Sequence, residues 1–185
     1  MINDVLRAME SRRSHRAYAP TQLTKAQLDA ILLAALQSPS AVNRQPWHFS
    51  VVQNQQLLAR LTKAAHRRAA QLTREERGPR FDDPAFHVHY HAPTVIFLSA
   101  EDTPANRLDC GIAVQQIALA AESLGLGSVI VGLIRLAFEN DEAEELKQAL
   151  HFPKNHAFMI SIALGTPTDD KPAHENDFSK ISLIS

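Results

Sequence analysis

The sequence predicts one domain in which a β-sheet is sandwiched between helices. Three segments, 94–98, 129–131 and 158–164, are apolar without alternation, which is the pattern of strands covered on both faces. Helical periods occupy most of the chain around them. The 185 residues are 45% hydrophobic, and a chain of this length buries about 70% of the surface its unfolded form exposes. A single domain over residues 1–185 therefore needs no disulfide or structural metal.

Element by element, Val5, Leu6 and Met9 mark a first helix with Asn3 as its cap. Thr24 and Gln27 have capping-box spacing, and Leu28, Ile31, Leu32, Ala35 and Leu36 then follow the helical repeat. Pro39 ends that helix and a loop runs to Pro46. Residues 48–52 read as a strand. Residues 55–72 read as a helix with Leu58, Leu61, Ala65 and Leu72 inward and Arg60, Lys63, Arg67 and Arg68 outward. Residues 73–91 lose all periodicity and carry Pro79 and Pro84, the character of a mobile lid. A helix over 106–124, apolar on nearly every face, is expected to be buried and to close on Gly125. Asn140 is expected to cap a further helix with Asp141 and Glu142 in its first turn, stopped by Pro153. The tail beyond Gly165-Thr166-Pro167 has no helical period.

Charge and cysteine content exclude several classes. Nineteen Lys and Arg against 20 Asp and Glu leave a net charge of −1, which gives no broad attraction to nucleic acid or anionic lipid. No apolar run approaches the ~20 residues that cross a bilayer. The lone Cys110 cannot form an internal disulfide, and Met1 leads into a charged amphipathic stretch, so a cytoplasmic setting is expected.

Four constellations carry chemistry. Arg12-Arg13-Ser14-His15-Arg16 gathers three guanidinium groups and a hydroxyl, donors that match phosphate oxygens. Cations are also favoured at a helix C-terminus for its dipole alone, and both readings stand. The stiff loop from Ser38 to Phe49 presents Ser40, Asn43 and Gln45 to a flat polar ligand, with Trp47 and Phe49 as anchors; Asn and Ser are equally ordinary turn residues. Gly125, Gly127 and Gly132 surround a strand, and Gly132 within an apolar run admits close approach of a ligand ring or of another backbone. His87, His89 and His91 would share one face of an extended segment, as a zinc-dependent hydrolase would need. Cys110 falls inside the buried helix and reads as a core residue. No dinucleotide fingerprint, phosphate-binding loop or nucleophile elbow is present.

In order and spacing, the first three constellations resemble the nitroreductase family of FMN-dependent oxidoreductases over most of the chain. The basic-basic-Ser-x-basic-x-aromatic segment is matched by Arg12, Arg13, Ser14, Arg16 and Tyr18. The Pro-Ser-x-x-Asn-x-Gln-Pro-Trp-x-Phe loop is matched by Pro39, Ser40, Asn43, Gln45, Pro46, Trp47 and Phe49. The Gly-Leu-Gly segment and Gly165 to Pro167 complete the series.

The resemblance implies an α+β nitroreductase-like fold, a central mixed or antiparallel sheet flanked by helices, in a domain-sharing homodimer with FMN at the subunit interface. Arg12, Arg13, Ser14 and Arg16 would take the phosphate and pyrimidine side of one flavin, and Pro39, Ser40 and Asn43 would come from the partner. Val131 and Gly132 would bring a backbone amide to flavin N5. The family often has a polar residue where Val131 stands, which alters the pocket and spares the backbone donor. It also sets a Lys or Arg pair near the C-terminus on the phosphate, and the tail here offers Lys171 and Lys180. Catalysis would be flavin-based, with no acid–base side chain and no metal: NADH or NADPH would reduce the flavin, and a nitroaromatic, quinone or similar small acceptor would then reoxidise it in a ping-pong scheme. The alternatives are the metal-dependent hydrolase of the three histidines and a flavin-binding module without turnover.

Overall fold

The computed structural model describes residues 3–184. Its centre is a four-stranded sheet in the order β1-β2-β4-β3, comprising β1 (His48–Val52), β2 (Thr94–Ala100), β3 (Gly127–Val131) and β4 (Ala157–Gly165). Every pairing is antiparallel, and a register shift interrupts β2 and β4 at Leu98/Ser99. Among the described residues no helix is long and apolar enough to cross a membrane.

Strand periodicity divides the interior in two. Val95 and Phe97 of β2 point into one core with Val129, Val131 and Ala163, while Ile96, Leu98 and Ala100 point into the other with Ile162 and Leu164. Over the first face lie α3 (Gln55–Ala69), the 3₁₀ turns Leu133–Phe138 and α6 (Ala143–Ala149). Over the second lie α2 (Lys25–Leu36), α5 (Pro104–Ser123) and Trp47. The predicted helix–sheet–helix sandwich is present. Only β2 is buried along its whole length; β3 is an edge strand with Ile130 exposed, because no further strand follows it.

Local signals set the helix starts. Asn3 accepts from the Leu6 N–H before α1 (Asp4–Ser11), and Thr24 with Gln27 forms the capping box of α2. Gly125, at φ +70°, takes the left-handed conformation that closes α5. α6 departs from expectation: it begins at Ala143, and Asn140 accepts from the Glu142 N–H in a turn ahead of the helix. α5 is buried along one face and exposes Leu108 on another.

Residues 73–91 are built of short turns. A capping box between Thr73 and Glu76 starts α4 (Arg74–Arg77), Arg74 and Arg77 both bind Asp82, and Phe81 and Val88 are sealed into the core. The absent period reflects short turns pinned by buried side chains. The basic outer face of α3 is likewise occupied, with Arg60 and Arg67 paired to Glu142 and Arg68 near Glu139.

Much apolar surface stays outside these cores. α1 buries none of its residues and exposes Val5, Leu6 and Met9; Leu33 and Leu36 of α2 and Phe178, Ile181, Leu183 and Ile184 of the tail are also exposed.

Phe97 is fully buried and meets the rings of His89 and Phe158. Phe97→Ala is expected to lower unfolding stability by about 3–5 kcal/mol, read from urea denaturation with an unchanged m-value.

Candidate functional site

The basic segment is laid along the exposed edge of β3. Ser14 bridges Ser128 in parallel, and the His15 N–H donates to the Ser128 carbonyl at 3.0 Å. Asp169, two residues beyond Pro167, clasps the segment from the other side. Its carboxylate accepts from the Arg16 N–H at 2.9 Å and lies 2.8 Å from His15 Nδ1. Burial pushes this carboxyl upward, but the Arg16 and His15 hydrogen bonds outweigh it and hold the group below its ordinary value. The Tyr18 hydroxyl donates to the His15 carbonyl at 2.7 Å, and burial, with Asp169 adding to it, raises the phenol far above its usual range. Gly127 permits this close docking: a Cβ there would lie 2.8 Å from Pro167 and 3.0 Å from the His15 ring.

Within the segment the cations have different work. Arg13 donates from Nη1 to the carbonyls of Glu10 and Arg12, so it caps the end of α1 as the dipole reading requires. Arg16 donates to the Ser14 carbonyl and sits 5.9 Å from the centre of the Tyr90 ring. Arg12 makes no side-chain hydrogen bond or ion pair among the described residues. Arg12 and Arg13 line a recess of about 410 Å³ with Leu6, Met9 and the tail residue His174. Lys171 pairs with Asp169 and Lys180 with Asp177. The basic residue that the tail brings to this recess is thus His174, which the sequence did not single out.

β3 ends at Val131, and Gly132 opens the 3₁₀ turns that follow it rather than interrupting a strand. Gly132 lines a cleft of about 530 Å³ with Arg107, Arg135, Phe138, Lys147 and Met159. The Gly132 carbonyl accepts from the Arg135 N–H, but among the described residues its own N–H makes no backbone hydrogen bond outside the ladders. Behind it, Ser161 Oγ donates to the Val131 carbonyl at 2.8 Å, and His89 Nε2 lies 3.0 Å from that oxygen.

The proline-bounded loop is held elsewhere. The buried carboxylate of Asp109 on α5 accepts from the Ala41 N–H at 3.1 Å. Gln45 donates from its backbone to Ser40 Oγ and from its side chain to Asn43 Oδ1. Trp47 and Phe49 anchor the exit, as expected. Val42, Asn43 and Gln45 all have positive φ, and for a β-branched residue such as Val42 this is a strained conformation. Among the described residues no hydrogen bond or ion pair joins Pro39, Ser40 or Asn43 to the segment from Arg12 to Arg16.

The three histidines do not converge. The segment is a turn with Tyr90 and His91 at positive φ; the rings of His87 and His91 lie 4.3 Å apart and tilted, while His89 points inward against Phe97. Among the described residues no group of three or more His, Cys, Asp or Glu side chains is arranged to hold a metal ion. Cys110 is in the core, where burial, with Asp109 adding to it, pushes the thiol up to about 12.

Comparison with known proteins places this geometry. A family model described as the nitroreductase family matches residues 9–166. A Methanothermobacter thermautotrophicus protein named for NADH dehydrogenase and NAD(P)H nitroreductase activity is 34% identical over 172 residues, covering 90% of this chain and 79% of its own. An FMN reductase [NAD(P)H] of Bacillus subtilis is 26% identical over 184 residues, covering 91% and 68%. The crystal structure of a Desulfitobacterium hafniense nitroreductase with bound FMN superposes with a TM-score of 0.94 at 33% identity over 100% of both chains. That of a Bacteroides fragilis nitroreductase with bound FMN does so with a TM-score of 0.91 at 28% identity, again over 100% of both.

Two outcomes are expected from the site's own chemistry. Asp109→Ala leaves the Ala41 N–H without its acceptor and should cost about 1–3 kcal/mol, with faster amide exchange at Ala41 as the local readout. Burial, then the charge of neighbouring His87, lowers the His89 imidazole from 6.5 to about 3. The unfolded chain therefore takes up a proton in that interval which the folded chain refuses, and stability falls as pH drops from about 6.5 toward 3. Denaturation midpoints across this range should decline, and His89→Phe should flatten the slope.

Proposed function

The chain belongs to the nitroreductase family, and on that premise we propose that it is an FMN-dependent oxidoreductase carrying electrons from NADH or NADPH to small acceptors. The observation that carries this reading is the docking of residues 14–16 on β3. It fixes the basic segment to the strand that leads into Gly132, and a ligand with a phosphate at one end and an acceptor-rich ring at the other would draw on both.

The residues fit the group. A phosphate dianion suits the recess beside Arg12 and Arg13, where Arg12 has no competing partner among the described residues and His174 adds a further nitrogen donor. Arg13 joins it while still capping α1, because its guanidinium carries more N–H donors than the two carbonyls use. Ser14 supplies a hydroxyl. Arg16 supplies a fixed positive charge to the pyrimidine side, where charge accumulates on reduction. Val131 and Gly132 would border the ring edge, and the Gly132 N–H would be the donor there, since among the described residues it makes no backbone hydrogen bond outside the ladders. Held by these residues, FMN would supply hydride and electron transfer between the nicotinamide and a nitroaromatic, quinone or similar acceptor, the two substrates alternating in one cleft.

Pro39, Ser40 and Asn43 complete the site in this reading from a second copy of the chain. Two features support the homodimer. Within one chain the loop is tied to α5 and unconnected to the basic segment. The exposed apolar residues of α1, α2 and the tail form the kind of surface that a partner covers. The proposal also includes one FMN-binding domain over residues 1–185, and a cytoplasmic setting, in keeping with the single buried thiol.

Purified protein should be yellow, and anaerobic mixing with NADH or NADPH should bleach it; retained colour would mark a flavin-binding module without turnover, and colourless protein that takes up no added FMN would end the proposal. Arg12→Ala removes a charge-assisted phosphate contact of about 1.5–3 kcal/mol, so FMN affinity by fluorescence quenching should fall roughly 10- to 150-fold.

A further inference from the structure

We propose that the buried pair His89–Ser161 is a positioning relay that strengthens the Gly132 N–H as a donor to the N5 edge of the flavin. The inference rests on the reading of Val131–Gly132 given above and extends it to two side chains that lie behind the strand and never meet the ligand.

Hydrogen counting sets the direction of the relay. Ser161 and His89 are both fully buried. A serine hydroxyl has one proton, and Ser161 spends it on the Val131 carbonyl at 2.8 Å. Its oxygen is then an acceptor toward His89 Nε2, 3.0 Å away, so Nε2 carries the ring proton. His89 Nδ1 is buried without a partner, as the unprotonated nitrogen of that neutral tautomer would be. Burial disfavours the doubly protonated ring, which keeps this arrangement intact at neutral pH. The chain therefore runs from His89 Nε2–H to Ser161 Oγ–H to the Val131 carbonyl.

That carbonyl belongs to the same planar peptide unit as the Gly132 N–H. Donation to the oxygen draws electron density through the amide and makes the N–H a better donor, and successive bonds in a chain reinforce one another in a low-dielectric interior. The relay also holds the plane of the peptide, because β3 stops at Val131 and the ladder secures only one side of that unit. The oxidised ring offers an in-plane lone pair at N5, which the reduced ring covers with a proton. A stronger donor thus favours the oxidised form. Gly132 itself is open to the cleft: a Cβ built there would meet only Ile160 Cδ1, at 3.6 Å.

The test uses Ser161→Ala, which removes the relay, and His89→Phe, which keeps an aromatic ring against Phe97 and leaves the serine hydroxyl in place. In the flavin-free protein the ¹⁵N and ¹H signals of Gly132 should move upfield in both variants, further in Ser161→Ala. With cofactor, both should bind oxidised FMN more weakly than the parent, by up to about two-fold, and the two-electron midpoint potential should rise in the same order. Gly132 signals unchanged in both variants would overturn the relay even if FMN bound normally. If the signals move as expected but FMN added to the parent leaves Gly132 undisturbed, the flavin reading of this strand fails and takes the proposal with it. Should Ser161→Ala fail to fold, His89→Phe alone decides by the same signals.

Discussion

The structure depends on one docking event, the laying of a short basic segment against the open edge of β3. An edge strand presents unpaired backbone groups that must be satisfied. Here the segment from Ser14 to Tyr18 and the strand-following stretch from Gly165 to Asp169 close over that edge from two sides. The basic segment is consequently fixed to the strand that ends at Val131, just before Gly132. Asp169 makes the arrangement durable, because its carboxylate engages the backbone and the imidazole of the segment while leaving the Arg12 side chain unengaged. Glycine is required at position 127 because the docked chain occupies the space a side chain would need.

The rest of the fold supplies rigid backing to that edge. Alternate residues of β2 and β4 feed two separate cores, so the sheet is packed from both faces. Several polar groups enter this interior with partners: Ser50 donates to the Leu150 carbonyl, Ser161 to Val131, and Asp109 accepts from the loop. Buried Asp109 carries the loop's constraint from α5, and the strain at Val42 and its neighbours is the conformational cost of holding the loop in that shape. Two polar elements thus stand on one rigid frame without touching each other, an arrangement that suits a site assembled from two chains.

Much of this was legible along the sequence. The capping box at Thr24 and Gln27, the cap at Asn3 and the turn at Gly125 are local signals, and each acts where it is written. The apolar strands, the anchors Trp47 and Phe49 and the buried Cys110 follow from periodicity and residue type. Less visible was the packing of residues 73–91, whose order comes from Phe81 and Val88 finding the core and from Asp82 finding two arginines. The histidines misled for a related reason: alternation assumes an extended backbone, and positive φ at Tyr90 and His91 turns His89 inward, away from the other two. The start of α6 slipped because Asn140 could satisfy an N–H in a turn as readily as at a helix cap.

By itself, the sequence determined the sheet strands and the longer helices, the helix–sheet–helix layering and the residue types that suit a phosphate and flavin cradle, since caps, periods and donor chemistry act over a few neighbouring positions. Tertiary structure alone decided that Asp169 clasps His15 and Arg16, that His174 joins the arginine recess, and that His89 and Ser161 stand behind the Val131 carbonyl. Those contacts span dozens of residues or more, and no local pattern encodes them. They exist because the sheet order sets β4 between β2 and β3, and so carries Ser161 and the segment after Gly165 to the edge where the basic segment docks.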